Sequence, residues 1–386
     1  MANTRIGLVG YGTMGMAHAR YLAAGEVPDG ELTAIADVSE ANLARARDSL
    51  GDLVGYYDAP EALFDSGEVD GVLIATPHYF HPELAIAAFA RGLHVLIEKP
   101  AGVHTKHVRE MNEAAAASGK VFGIMFHMRT RPIHRKLKDL IDTGQLGPMK
   151  RVGWLATDWY RPQAYYDSSL WRATWKGEGG GVLINQCAHQ FDTWQWLCGL
   201  PKRVRAFCSF GKYHELEVED DVTAYVEYDN GATGTFITST GEAPGSNRLE
   251  IVGDNGKVVM ENDELRFWRL RVPEPRFTRE TEDGFSEPEC WRCEIPIRGD
   301  EAAHQQITAN WVDAIRTGAE VIVPGEEGIR SLELSNAMLL STWTDDWVNL
   351  PVDENLFYDQ LQERISSSTI KKKPPTGKVM DVRDSW

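Results

Sequence analysis

Nowhere in the 386 residues does a continuous apolar run approach 18, so no segment reads as a membrane-spanning helix. Basic residues are in deficit: 40 Lys and Arg against 57 Asp and Glu give a formal charge of −17. Such a surface repels phosphate backbones and anionic lipid, which argues against nucleic acid and membrane as partners. The one basic run, Lys371–Lys373, is followed by Pro374 and Pro375 and reads as a solvated tail. Cysteine is scarce and odd in number, five in all. Without an export signal, that suggests reduced thiols and a cytoplasmic location. The opening "MANTRIGLVGYG" enters a strand almost at once and leaves no room for a signal peptide. Cys290 and Cys293 have C-x-x-C spacing, but no second pair accompanies them, so no metal site is expected. Internal repeats and low-complexity blocks are also missing.

What is present is ordinary globular composition, 42% apolar and 25% charged. The length exceeds one typical core and predicts two domains. Their expected limits are 1–126 and 127–350, followed by a C-terminal extension over 351–386.

Residues 4–10, "TRIGLVG", are a short apolar run that ends in the turn "GYGTMG". Gly10, Gly12 and Gly15 fit G-x-G-x-x-G, and helix formers follow up to Gly25. Strand, glycine turn and helix are the context of a dinucleotide site. The first glycine makes the tight turn, the second admits pyrophosphate, the third lets helix pack on strand, and the helix N-terminus offers free N–H groups. Tyr11, Thr13 and Met14 belong to the same turn. The next strand, "ELTAIAD", ends in Asp37, 27 positions after Gly10. Its carboxylate suits the ribose hydroxyls and repels a 2′-phosphate. Val38 and Ser39 follow it, not arginine, so NAD is expected over NADP. The same acid could also merely cap the next helix.

Strands and helices keep alternating through "GVLIAT", "LHVLIE" and "KVFGIMF". That pattern predicts a Rossmann-type, doubly wound parallel sheet with its ligand at the carboxyl ends of the strands. Thr76-Pro77-His78 and Glu98-Lys99-Pro100 lie at such ends. Lys99 follows an apolar run and precedes proline, an odd place for a solvated lysine. It could hold a substrate hydroxyl and share its proton, or only pair with Glu98 or the ribose.

From about residue 127 the pattern changes. A linking helix, "PIHRKLKDLIDTGQLG", leads to seven strand-like segments with hairpin signals at "DNG" (229–231) and "GDNG" (253–256). They predict an α+β domain with a large, mainly antiparallel open sheet, then helices near 300–317 and 325–345. "GGGVLINQCAHQFDTWQWLCG" reads as opening a helix that lines up Asn185, His189, Asp192 and Trp196 on one face. A neutral histidine suits a hydroxyl proton, although a lone helix histidine is more often a core residue. Asn185 cannot ionise but could orient the ring or bind a hydroxyl. The stretch 158–181 is dense in aromatic and polar groups able to stack on and hydrogen-bond a sugar. Asp158, Tyr160, Arg161 and Trp175 are its candidate substrate contacts.

The segment "ATPHYFHPELAIAAFARGLHVLIEKPAG" resembles the glucose–fructose oxidoreductase / inositol dehydrogenase family, with T-P-N-x-x-H, a helix, then G-x-H-V-x-x-E-K-P. His78 departs from the usual Asn. The resemblance covers essentially the whole chain. It implies that Lys99 is the active-site lysine and that Thr76, His81 and Glu98 line the cofactor site, and it makes Lys99–Pro100 a candidate cis bond. It matches His189 to the family's catalytic histidine, within a D-x-x-x-H-x-x-D pattern where Asn185 replaces the first acid. Trp171-Arg172 resembles a pair at the nicotinamide end. It also implies assembly into dimers or tetramers through the second sheet.

The expectation is therefore an NAD-dependent enzyme that oxidises a ring secondary hydroxyl of a sugar, glycoside or inositol. His189 would take the proton, Lys99 would polarise the oxygen, and no metal would be needed. The competing reading is a non-catalytic NAD-binding regulator on the same scaffold, for which the pair Lys99 and His189 has no use.

Overall fold

The computed structural model describes residues 2–299 and 303–369. The basic run 371–373 lies outside them, within the stretch 370–386, as do residues 300–302. Fifteen strands are defined among the described residues. The first six are β1 (Thr4–Val9), β2 (Gly30–Ala36), β3 (Gly55–Tyr57), β4 (Gly71–Ile74), β5 (His94–Ile97) and β6 (Phe122–Ile124). They form one parallel sheet in the order β3-β2-β1-β4-β5-β6, the doubly wound order with its switch point between β1 and β4. Helices on both faces explain why β4 and β5 are continuous apolar runs, with no polar face to alternate.

The other nine are β7 (Met149–Ala156), β8 (Arg203–Phe210), β9 (Glu219–Glu227), β10 (Thr233–Ser239), β11 (Asn247–Gly253), β12 (Gly256–Glu261), β13 (Glu264–Leu270), β14 (Cys290–Glu294) and β15 (Val348–Asn349). Their sheet runs β14-β13-β12-β11-β7-β10-β9-β8-β15. Burial alternates along β7 and β9, because one face is covered and the other open. The two hairpin signals turn β9 into β10 and β11 into β12, both antiparallel. One pairing departs from the hairpin pattern: β7 inserts between β10 and β11 and runs parallel to β10. The C-x-x-C pair falls on β14, where residues three apart point to opposite faces, and both thiols are free.

The helix Gly328–Thr344 lies across the covered face of this sheet, its Ser341 Oγ accepting from Ala206 N at 3.0 Å. The same helix ties back to the first sheet's loops. Asn336 Nδ2 donates to Val103 O at 3.1 Å, and its Oδ1 accepts from Thr105 N at 3.3 Å. These bonds fix the segment that follows β5 against the second half of the chain.

Candidate active site

The glycine turn has the geometry of a dinucleotide cradle. Gly10 takes φ +94°, and a Cβ there would meet Ala75 O at 2.7 Å. A Cβ on Gly15 would lie 1.9 Å from Gly10 O, so only glycine lets the helix Thr13–Ala23 start this close to β1. A Cβ on Gly12 would meet nothing within 4 Å, and no side chain caps the helix there. That leaves open space and unsatisfied N–H groups at Thr13 and Met14, where pyrophosphate fits. Thr76 Oγ1 is a buried hydroxyl without a partner beside this turn.

Asp37 ends the adjacent strand. Its Oδ2 accepts from Tyr11 N at 2.6 Å and Asn42 Nδ2 at 2.8 Å, and its Oδ1 from Ser39 N at 2.8 Å. The helix Glu40–Leu50 is instead capped by Ser39. Asp37 thus braces the glycine turn and keeps part of its roughly four-site acceptor capacity for ribose hydroxyls. Asn42, which the sequence did not single out, shares this work.

At the end of β5, Lys99–Pro100 is cis. Glu98 accepts from buried His18 Nε2 at 2.7 Å and from Lys99 N at 3.0 Å. Burial alone would raise the Glu98 carboxyl, but the hydrogen bond and charge of His18, together with His304 and Lys99, outweigh it and bring the pKa to about 2. His81 has Nδ1 against Pro100 O at 2.7 Å and Nε2 against Thr76 O at 2.8 Å. Both nitrogens are therefore engaged by backbone, and His81 braces the two strand ends and leaves no ring nitrogen for a cofactor. His78 is buried, with Nδ1 3.2 Å from Glu178 O and its ring edge-on to Trp171. Pro77 links these residues at the sheet's end.

Lys99 Nζ donates to Asn185 O at 2.9 Å. Burial pulls its pKa down to about 8. Glu98 opposes that shift, while Arg172 and Arg161 add to it. His189 is almost fully buried, its Nδ1 without a partner, and packs edge-on against His127 at 4.4 Å between ring centroids. Burial drives its basicity well below the ordinary histidine value, and the nearby His127, Lys99 and His304 reinforce this. Its place in the first turn of the helix Ala188–Cys198 acts in the same direction, since a helix N-terminus disfavours a cation.

The shared helical face does not form. The helix begins only at Ala188, and Asn185 lies in the preceding turn. The three glycines cause this: Gly179 has φ +83°, and a Cβ on Gly181 would meet Glu219 O at 2.0 Å. Close backbone packing on β9 therefore delays the helix. Asp192 is also unavailable to His189, because it forms a buried two-point pair with Arg129 at 2.8 and 2.5 Å. The carboxylate near Asn185 is instead Glu178, whose Oε1 accepts from Asn185 Nδ2 and whose Oε2 accepts from Ala173 N at 2.5 Å. Its only signal in the sequence was a lone acid inside "KGEGGG". Asn185→Asp would set a carboxylate against Glu178. It is expected to destabilise the fold by about 1–3 kcal/mol, more at about pH 8 than at about pH 5. Like charges raise the folded-state pKa, so the lost stability returns as pH falls. Thermal unfolding at both pH values checks this; a uniform effect would contradict the contact.

Around Glu178 and Asn185 the structure gathers Tyr165, Arg172 and Gln186. Tyr165 OH accepts from Arg172 Nη1 at 2.6 Å, Gln186 Nε2 at 3.0 Å and Asn185 Nδ2 at 3.3 Å. Arg161 and Arg172 both lie over the Tyr165 ring, and Arg172 also over Trp171. Three expected contacts fall elsewhere. Trp175 is core, packed on Phe210 and Trp343, because its backbone N–H is drawn to Glu217 at 2.7 Å. Tyr160 is exposed with no side-chain partner in this cluster. Asp158 is exposed at the rim and accepts from Asn247 at 3.0 Å.

A doubly wound sheet with a glycine turn open enough for pyrophosphate, a lysine just after β5 and a buried histidine packed on Phe126 and His127 just after β6 is the plan of a dinucleotide-dependent oxidoreductase. The chain belongs to the GFO/IDH/MocA family. The family's NAD-binding Rossmann-fold oxidoreductase model matches residues 4–126, and its C-terminal domain model matches residues 134–259. Rhizopine catabolism protein MocA of Rhizobium meliloti is 36% identical over 202 residues, which span 52% of this chain and 58% of that relative. Levoglucosan dehydrogenase of Pseudarthrobacter phenanthrenivorans is 26% identical over 91% of this chain and 99% of its own. The WlbA dehydrogenase of Chromobactrium violaceum, solved with NADH and UDP-GlcNAcA, superposes with a TM-score of 0.78 at 27% identity, over 92% of this chain and 97% of that one.

Proposed function

We propose that the protein is an NAD-dependent dehydrogenase that oxidises a ring secondary hydroxyl of a sugar or cyclitol to a ketone. Residues 1–126 would hold the cofactor and the remainder the substrate. The observation that carries this reading is that Lys99, drawn down to about 8, is bonded to the carbonyl of Asn185, four residues before His189, and acts electrostatically on that histidine, which burial and His127 keep uncharged. A regulator would have no use for that pair.

NAD, when bound, accepts the hydride. The two pKa directions favour a division of labour opposite to the one the sequence suggested. An imidazolium at His189 is strongly disfavoured, whereas an ammonium at Lys99 forms near working pH. Lys99 in its amine form would therefore take the hydroxyl proton, and the resulting ammonium would stay beside the new carbonyl oxygen. Neutral His189 would hold the hydroxyl in place. Asn185 would fix Lys99 through its carbonyl, and Glu178 would fix Asn185. Levoglucosan dehydrogenase, named for an anhydrosugar, supports a carbohydrate substrate.

The direct test is NADH absorbance on mixing the protein and NAD with a panel of sugars, glycosides and inositols; silence across the panel would count against the reading. Asp37→Ala should cut the preference for NAD over NADP by about 10–100-fold in kcat/KM, the worth of charge-assisted hydrogen bonds to ribose. An unchanged ratio would return Asp37 to a purely structural role. The open face of the second sheet exposes Phe207, Tyr225 and Ile237, which supports self-association through that sheet. Light scattering should then report a multiple of one chain's mass.

A further inference from the structure

A carbinol alone does not account for the charge around this cleft. The guanidinium groups of Arg161 and Arg172 lie 5.2 and 4.4 Å from the centre of the Tyr165 ring. The hydroxyl of that ring contacts Asn185, whose carbonyl holds Lys99 Nζ. Three cationic groups therefore converge in a chain of net charge −17.

Of the carboxylates nearby among the described residues, only Glu178 forms an ion pair with one of these three cations, Arg172. Glu178 binds Asn185 and Ala173 and stands 3.8 Å from Arg172. Glu98 is bound to His18 and the Lys99 backbone. Asp158 turns to Asn247. Arg161 has no carboxylate within ion-pair distance among the described residues; its Nη1 donates to the carbonyl of Tyr160 at 2.9 Å. It is only half-exposed and also stacks on Trp159 at 5.3 Å. Stacking occupies the faces of a guanidinium and leaves its N–H edge for a planar, two-point acceptor. Asp158 feels the charge of Arg161 only from beyond ion-pair distance, and a partly buried cation without a directly paired carboxylate is costly unless a ligand supplies one. Burial is the first cause of the depressed basicity of Lys99; Glu98 and Glu178 oppose it, and the charges of Arg172 and Arg161 add to it, which places both guanidinium groups within electrostatic reach of the ammonium.

We propose that the substrate carries an anionic substituent, a carboxylate or a phosphate ester on the sugar or cyclitol, and that Arg161 binds it while Lys99 and His189 address the carbinol. This rests on the dehydrogenase reading and narrows its substrate class. It also explains how an acidic protein would favour an acidic substrate: the local field in the cleft is opposite to that of the whole surface.

The test pairs neutral sugars with their anionic forms: glucose, glucuronate and glucose 6-phosphate, and the galactose and mannose counterparts. Binding to the protein with NADH is read by NADH fluorescence, and turnover with NAD by absorbance. At least one anionic form should bind about tenfold or more tightly than its neutral parent. Comparison of the uronate with the phosphate identifies which anion is recognised. In Arg161→Gln the anionic-to-neutral ratio should fall by about 10–100-fold, and Arg161→Lys should restore part of it. Neutral forms that bind as well as both anionic forms would overturn the proposal, as would an unchanged ratio in Arg161→Gln. Binding with the expected Arg161 dependence but without turnover would uphold the anion site and reject the dehydrogenase reading.

Discussion

Lys99→Met is expected to lower kcat for alcohol oxidation by about 10²–10⁴, the usual range for removing a positioned acid–base group. The methionine keeps the stem volume, and Pro100 still follows it at the end of β5. What is lost is the amine and its hydrogen bond to Asn185 O. The pH dependence identifies the role. Burial and two neighbouring arginines bring the ammonium down to about 8, so the amine form appears on the alkaline side. In the unmodified protein kcat/KM for oxidation should therefore rise with pH and level off near 8. Lys99→Met should show no limb there. A limb near 6.5 that survives the substitution would mean that a histidine titrates and that Lys99 only polarises the oxygen. A profile that falls above 8 would mean that the ammonium is the working form.

The features legible in the sequence are those whose partners are close along the chain. Gly10, Gly12, Gly15 and Asp37 follow from strand, turn and strand within one βαβ unit, and the structure keeps them in register. Glu98-Lys99-Pro100 is read from three consecutive residues. What failed depended on contacts that no spacing encodes. Asn185 and His189 are four apart, so a continuous helix would have stacked them. Gly181 instead packs on the backbone of Glu219, 38 residues away, and a turn replaces the first helical residues. Asp192 shares the expected helical face with His189, but Arg129, 63 residues upstream, takes both of its oxygens. Trp175 carried the composition of a sugar-stacking residue and was drawn into the core by Phe210 and Trp343. The parallel pairing of β7 with β10 was hidden because hairpin signals report only neighbours in sequence.

His189→Gln should lower kcat by about 10²–10⁴ while NADH binding stays nearly constant. Glutamine is chosen because the site is closed: His189 packs against Phe126 and His127, and alanine would leave a cavity whose cost could be mistaken for lost chemistry. The side-chain amide keeps a polar group near the hydroxyl but cannot reproduce the geometry of an imidazole nitrogen. Because burial, with His127, Lys99 and His304, drives its basicity well below the ordinary histidine value, His189 stays neutral across the alkaline limb. The alkaline limb near 8 should thus persist in His189→Gln, with only its height reduced. That separates the two residues: Lys99→Met removes the limb, and His189→Gln lowers it in place. In the double variant the losses should be less than additive, since a hydroxyl that is no longer oriented gains little from an amine and the reverse also holds. If His189→Gln retains kcat and only lowers the melting temperature, the histidine belongs to the core. If the variant loses NADH binding, it lies on the cofactor side. Either result would remove His189 as the residue that positions the hydroxyl and leave Lys99 as its proton acceptor.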